Sequence, residues 1–293
     1  MNMDLIVEVE KHPSKGETIT GKAFSQLPGG KGANQACTIG KLQGNVALIG
    51  ACGKDEYANI VLNSLRTCGV DVNYIERVED TTGVAFITVE KSGENRIIVI
   101  PGANERVSKT LIARNEKLIK EANIVLLQME IPIETVIYSI EMASRYDKTI
   151  ILDPAPARKL PDEIYKMIDF ILPNEIEIEG LITEESFRST EEKVMRLLEL
   201  GVENVILTKG AEGASLYNNR IKMDFPAEKV EVLDTTAAGD AFAGGFVYSL
   251  NSNRSIEEAI SYANVVAGLA VTRLGVQSLL PDRQEVERFI SSK

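Results

Sequence analysis

Residues 124–172 read IVLLQMEIPIETVIYSIEMASRYDKTIILDPAPARKLPDEIYKMIDFIL, and this stretch decides the fold. It holds three short apolar runs, Ile124–Gln128, Thr149–Leu152 and Phe170–Leu172. Between the first two lies Glu134–Arg145, whose apolar residues recur at helical spacing. Apolar runs without polar alternation are strands buried on both faces, and a parallel sheet needs helical crossovers between them. Working outward, the pattern continues: Val46–Gly50 lies before it, and Thr190–Leu200 (helical spacing) and Val205–Thr208 (apolar) lie after it. The sequence therefore predicts an α/β fold, a doubly wound, mostly parallel sheet flanked by helices. The C-terminal third reads as helical over Ala238–Leu250, Ser255–Leu274 and Asp282–Ile290.

Two regions break the alternation. Thr81–Pro101 reads as a hairpin, with TTGVAFITVE and RIIVIP flanking a Lys91–Asn95 turn; period-two patterning and a Gly-containing turn both mark it. Gly16–Lys22 reads as a further short strand. Together they predict a small β-sheet lid formed by about 14–24 and 80–101 of a single domain, 1–293. No internal repeat, low-complexity segment or long linker is present.

Composition narrows the function. The chain has 293 residues, a net charge of −11 and no cluster of Lys and Arg, which argues against nucleic acid or an anionic membrane surface as partner. No apolar run reaches the ~18 residues that span a bilayer, and Met1-Asn2-Met3-Asp4 lacks the basic region of a signal peptide. The three cysteines, Cys37, Cys52 and Cys68, have no metal-type spacing and read as small core residues in a reducing, cytoplasmic compartment. The single histidine, His12, excludes three-His zinc sites, and its Pro-containing turn predicts surface exposure.

In open α/β sheets ligands bind beyond the carboxyl ends of the strands. Glu130, Asp153, Asn174 with Glu177, Lys209 with Gly210, and Asp234 with Asp240 all follow candidate strands. The sharpest motif is Asp234-Thr-Thr-Ala-Ala-Gly-Asp240. An apolar strand, VEVL, is expected to end at Leu233 and a helix to begin near Ala238, its first N–H groups open to an anion. A capped helix start with acidic residues suited to the dipole is the alternative at this point. Gly29-Gly30-Lys31-Gly32-Ala33-Asn34-Gln35-Ala36 is a glycine-rich turn into a helix. It fits close backbone approach to a ligand, a flexible turn being the alternative. It is neither a Walker A loop nor a dinucleotide fingerprint. Thr208-Lys-Gly-Ala-Glu-Gly213 again puts glycines after a strand, with a plain β-turn as alternative.

These motifs, in this order, resemble the ribokinase-like carbohydrate kinases. GGKGANQA resembles that family's first signature and DTTAAGDAF its second. PNEIEIE (Pro173–Glu179) resembles its Asn-x-x-Glu element, and GENRIIVIPGAN and LDPAPAR extend the resemblance over the whole chain. The resemblance implies ATP-dependent phosphorylation of D-ribose at the 5-hydroxyl, with Asp240 as general base. Sugar-binding residues would be Asn2, Met3, Asp4, Gly30, Lys31, Gly32, Ala33, Asn34 and Glu130, with Asp240. Asn174 and Glu177 would act near the phosphates and Mg²⁺, mainly through water. Thr208, Lys209, Gly210, Ala211, Glu212, Gly213 and Asn264 would line the nucleotide site, and the N–H groups around Ala237–Asp240, Gly239 included, an anion hole. An activating monovalent cation, K⁺, would bind near Asp234, Thr236, Ala270, Arg273 and Gly275, and a homodimer would form through the lid. The resemblance departs at three places. Ala243 stands where the family usually has Asn, and Leu279 where Ser often helps ring the cation. Only Met1 precedes Asn2, where the family has a core strand, so an apolar, Gly-ending stretch is expected upstream.

Two other readings remain at this point: a sibling kinase for another sugar or a nucleoside, and a nucleotide- or sugar-sensing protein without catalysis. The absence of Trp and the 5% aromatic content speak against a nucleoside site, which wants stacking faces. Retention of Asp240 with both glycine motifs speaks against a sensor. A hydride-transfer enzyme would need the missing dinucleotide fingerprint.

Overall fold

The structure is a computed structural model describing residues 1–293 apart from Gly93, Glu185, Leu274, Val276 and Lys293, with Ser278 described by its backbone alone. Its first strand, β1 (Asn2–Val9), lies inside the four-stranded lid sheet. β1 runs antiparallel to β2 (Ala23–Gly29) and parallel to β5 (Gly83–Glu90), which pairs with the edge strand β6 (Asn95–Ile100). The hairpin expected over Thr81–Pro101 is therefore present. Gly16–Lys22 is not a strand: Gly16 turns at φ +80°, and pairing with β1 begins only where Ala23 meets Glu8. β1 itself alternates, with Met3, Leu5 and Val9 buried on one face. His12 is also buried, contrary to expectation. Thr88 and Glu90 of β5 close over it; the Thr88 hydroxyl lies 3.1 Å from its Nδ1, and Glu90 accepts its backbone N–H at 2.5 Å.

α1 (Lys31–Lys41) follows β2 directly. Gly30, at φ +88°, makes that junction, and a Cβ there would sit 2.8 Å from the Asn2 nitrogen, so only glycine fits. β3 (Gly50–Cys52), α2 (Glu56–Thr67) and β4 (Ile75–Arg77) form a two-stranded parallel unit. The strand expected at Val46–Gly50 thus begins only at its last residue, Gly50, which pairs with Ile75, while Ala47 makes an isolated bridge to Asp71.

After α3 (Lys109–Arg114) and α4 (Glu116–Glu121), the stretch that decided the fold takes its expected form. It gives β7 (Ile124–Leu127), α5 (Ile133–Arg145), β8 (Thr149–Leu152), α6 (Asp162–Tyr165) and β9 (Phe170–Ile171). α7 (Glu175–Leu181) and α8 (Thr190–Glu199) lead to β10 (Asn204–Thr208), and β11 (Ala214–Asn218) and β12 (Lys222–Phe225) close the sheet. The order is β12-β11-β10-β9-β8-β7, parallel from β7 to β10 and antiparallel beyond. Neighbouring strand residues bury on opposite faces, as the pleat requires. Ile150, Leu152, Val205 and Leu207 pack in one core with α5, α7 and α8, whereas Ile151, Phe170, Ile206 and Leu216 pack in another with α9 and α10.

α9 (Ala238–Asn251), α10 (Ile256–Ala270) and α11 (Arg283–Ser291) end the chain. α10 stops at Ala270, short of the expected Leu274. The VEVL run before Asp234 is not a strand: Val232 and Leu233 are exposed, and the Leu233 and Asp234 N–H groups bond the Val271 carbonyl at the end of α10 instead. α9 packs on α1 through Gly244, where a Cβ would fall 2.5 Å from the Thr38 Cβ, and on α10 through Gly245, where it would fall 3.0 Å from Val266. This glycine pair lets α9 sit close to both neighbours, which brings the start of α1 to the start of α9.

Candidate active site

The two glycine motifs meet at Asp240. Asp240 is buried in the first turn of α9. Its Oδ2 accepts Asn34 Nδ2 at 2.8 Å and its Oδ1 accepts Gln35 Nε2 at 3.0 Å, both from α1. Burial pushes its carboxyl above the ordinary value, against the pull of the Lys31 ammonium and of the two amides. α9 begins from Ala237 in the left-handed conformation, with no side-chain cap. α10 and α11, by contrast, close their first turns with the Ser255 and Asp282 capping boxes. The capped start left open by the sequence is thus not what forms. Ala237, Ala238 and Gly239 instead border an open cavity of about 230 Å³, together with Lys31, Asp153 and Asp240.

Lys31 is the cation of this cavity. Burial works against its ammonium, but Asp240, Asp153, Glu130 and Glu177 together hold its pKa above the usual lysine value. Its backbone N–H donates to Glu130 Oε2 at 2.8 Å, which ties the glycine-rich turn to the end of β7. Asp4, buried on β1, is pushed up to about 7 by burial and then by Glu130, with the N-terminal ammonium opposing. Asn2 accepts the Asn104 amide at 2.8 Å. Asp4, Asn34, Glu130 and Lys31 thus gather around Asp240, a set of groups able to donate to and accept from hydroxyls. Met3 and Ala33 do not add side chains to this set, for both are packed in the core and only their backbones remain for a ligand.

Glu177 and Asn174 border the same cavity. They already cap α7 reciprocally: Asn174 Oδ1 accepts the Ile176 and Glu177 N–H groups, and Glu177 Oε2 accepts the Asn174 N–H. Thr208 is also on the cavity wall. Beyond it, Gly210–Glu212 forms one turn of 3-10 helix and Gly213 turns at φ +96° against the Phe225 carbonyl. Asn264 donates to the Phe225 and Pro226 carbonyls at 3.1 Å, so it belongs to the same corner. The Lys209 ammonium pairs with Asp224 at 3.1 Å, away from the carboxylates around Asp240. Asp234 Oδ1 accepts the Thr236 N–H at 2.8 Å and Oδ2 the Gly275 N–H at 3.3 Å, which gathers the expected cation loop around one carboxylate. Arg273 turns its guanidinium to Glu285, and the Ala270 side chain is buried.

Sequence reading passed over Gln35, Gln128 and Gln277 and left Asp153 among the strand ends. Gln35 stands beside Asn34 in the motif, and that adjacency was the available signal. Asp153, pushed up to about 8 chiefly by burial, shares the Gln35 amide with Asp240.

The match to known proteins follows this geometry. Residues 1–283 fit the model of the pfkB family carbohydrate kinases. The chain belongs to that family. It is 36% identical to the ribokinase of Haemophilus influenzae over 293 residues, covering 99% of this chain and 96% of that one. Among solved structures it resembles a ribokinase from Thermotoga maritima, with a TM-score of 0.92 and 40% identity over 99% of this chain and 96% of that one. It also resembles Arabidopsis thaliana ribokinase complexed with ribose and ATP, with a TM-score of 0.89 and 32% identity over 99% and 96% of the two chains.

Proposed function

We propose that this carbohydrate kinase transfers the γ-phosphoryl group of ATP to the 5-hydroxyl of D-ribose, with Asp240 as the base. One observation carries the reading: a buried carboxylate, held by two amides, at the uncapped start of a helix that opens onto a cavity. Phosphoryl transfer needs positioning and charge stabilisation more than covalent help. Asp240 takes the proton of the sugar hydroxyl. The Ala238 N–H is bonded to the Thr235 carbonyl, so the Gly239 and Asp240 N–H groups at the start of α9, with the Lys31 ammonium, face the charge of the transferring group. Asp4, Asn34 and Glu130, with Asn2 and the backbone of Gly30 and Gly32, hold the sugar's other hydroxyls. Thr208 to Gly213 and Asn264 form the nucleotide corner. The four-stranded sheet is the lid of a one-domain protein, and its closure excludes water that would hydrolyse ATP.

Two cations fit the residues present. Glu177 and Asn174 have spent hydrogen bonds on their own cap, which suits contact with Mg²⁺ through water. The Asp234 carboxylate, which gathers the Thr236 and Gly275 N–H groups, would with the carbonyls of Thr236, Ala270, Arg273 and Gly275 offer K⁺ oxygen ligands. When bound, these ions would supply positive charge to the phosphates and to the loop before α9. Cytoplasmic action suits an ATP-using enzyme whose three cysteines are free and buried. A homodimer through the lid is supported by Phe24, Phe86, Ile97, Ile98 and Val99, large apolar side chains exposed on that sheet.

The test is ADP release from MgATP with D-ribose, 2-deoxyribose, other sugars and adenosine, with and without K⁺, beside D240N. Ribose-dependent turnover, stimulated by K⁺ and lowered ~10²–10⁴-fold or more in D240N, is expected. Preference for another acceptor overturns the sugar assignment, and full activity of D240N overturns the base.

A further inference from the structure

Gln35 is a buried residue on a helix whose neighbouring buried positions are largely apolar or small. Packing alone asks for nothing polar there. Yet its single amide nitrogen donates to Asp153 Oδ2 at 2.6 Å and to Asp240 Oδ1 at 3.0 Å. Both amide hydrogens are therefore committed to carboxylates. The amide oxygen is committed too, for it accepts Gln128 Nε2 from the end of β7. That bond settles which end of the amide faces the acids, since a flipped Gln35 would put oxygen against two carboxyl groups. The other amide on Asp240 is braced in the same way: Asn34 Oδ1 accepts Gln277 Nε2 at 3.1 Å, and Gln277 Oε1 accepts the Ser64 hydroxyl at 2.7 Å.

The two amides differ in what else they face. Asn34 stands with the sugar-binding groups and is expected to touch substrate. Gln35 reaches back from Asp240 to Asp153, a carboxyl the proposed mechanism does not use. Asp153 is fixed at the end of β8, where its N–H bonds the Leu127 carbonyl. It is a rigid anchor on the sheet, whereas Asp240 rides on α9.

We propose that Gln35 is the positioning residue that aims the Asp240 carboxylate, spanning from the sheet anchor Asp153 to the base and oriented by Gln128. The inference rests on Asp240 being the base. Each of the two Asp240 oxygens then has one amide donor, so the carboxylate cannot rotate freely, and its remaining lone pairs are left for the incoming hydroxyl. The charged groups around it are Asp4 of β1, Lys31 of α1, Glu130 after β7 and Asp153 after β8, with Glu177 of α7 beside Lys31 and Asp153. None of these charged groups donates a hydrogen bond to Asp240 among the described residues; its side-chain donors are Asn34 and Gln35.

The near-isosteric, non-donating Q35M tests this. Its kcat is expected to fall about 10- to 100-fold, the range for partners that orient a functional group. KM for D-ribose should stay within about threefold, because Gln35 does not face the sugar. The acid limb of kcat/KM should move to higher pH, since a carboxylate that loses a donor is harder to ionise. Q35M/D240N should be no slower than D240N alone, because Gln35 then has no base to aim. Q128M, on a partly exposed residue, should show the same pattern at smaller size, and it serves if Q35M does not fold. Unchanged kcat and acid limb in folded Q35M or Q128M overturn the inference, as does a loss in the double variant that adds to that of D240N. Turnover retained by D240N would instead reject the base assignment, a result distinguishable from an inert Q35M beside a dead D240N.

Discussion

Gly244→Ala sets two known effects against each other. In a helix interior, Ala is favoured over Gly by about 1 kcal/mol. Against this, the new Cβ would lie 2.5 Å from the Thr38 Cβ and 2.9 Å from the Gln35 carbonyl oxygen. Ordinary carbon contacts lie at about 3.5–4.0 Å, so the shortfall is about 1 Å or more. The obstacles are a Cβ and a backbone oxygen, which no rotamer change can move, so α1 and α9 must part. Overpacking of this kind costs about 1–3 kcal/mol, and the immobile neighbours place this site in the upper half of that range. The net expectation is a loss of about 1–2 kcal/mol, or a Tm lower by roughly 2–8 °C at about 2–4 °C per kcal/mol. Activity should suffer more than stability. The bonds at risk are those of Asn34 and Gln35 to Asp240, at 2.8 and 3.0 Å, and a misplacement of about 1 Å at a reacting centre costs up to about 10²-fold. Thermal melts and steady-state kinetics on the same preparation decide the matter. A raised Tm with unchanged kcat would show that helix propensity wins and that the α1–α9 contact does not set the site.

Three further outcomes follow from other positions. In Gly239→Ala the added Cβ meets nothing within 4 Å, so Tm should hold or rise slightly; kcat should fall about tenfold or more, because the methyl borders the anion cavity, and an active Gly239→Ala counts against the anion hole. Asp153 and Asp4 are pushed up to about 8 and about 7 from 3.8; the folded state therefore holds protons that the unfolded chain releases, so their stabilising contribution is full below pH ~4 and fades as pH rises to about 8. The Tm of the unliganded protein should fall over that window, less steeply in D153N, and a flat profile refutes the assignment. Ile98→Asp, at an exposed position of the lid's edge strand β6, should yield monomers by sedimentation equilibrium with the wild type dimeric; a monomeric wild type rejects the lid interface.

How far the sequence could be read depended on how local each signal was. The run 124–172 disclosed its strands because they are apolar on both faces, and its helix because one stripe is. β1 escaped notice because Asn2 and Asp4 alternate with its apolar Met3 and Leu5, which leaves no continuous apolar run to mark it. VEVL had the composition of a strand, but its last N–H, that of Leu233, found the Val271 carbonyl instead, a contact set by where α10 ends. His12 looked like a turn residue, and its burial depends on Thr88 and Glu90, far along the chain. Asp240, Lys31 and Asn34 were legible as motif members, but Gln35 and Asp153 were not legible as a unit, because their meeting depends on α1, β8 and α9 packing together.

That packing is what makes the site a single object. Gly30 sets the angle at which α1 leaves β2, and Gly244 sets how close α1 comes to α9. Between these two glycines, α1 delivers Lys31 to the cavity and Asn34 and Gln35 to the base. The proposed sugar side, tied to the lid through Asn2 and Asp4 on β1, and the proposed phosphate side, at the start of α9, would therefore meet on one helix. Gly30 is thus required by the β2–α1 junction itself, where a Cβ would meet the Asn2 nitrogen at 2.8 Å, and not only by a ligand.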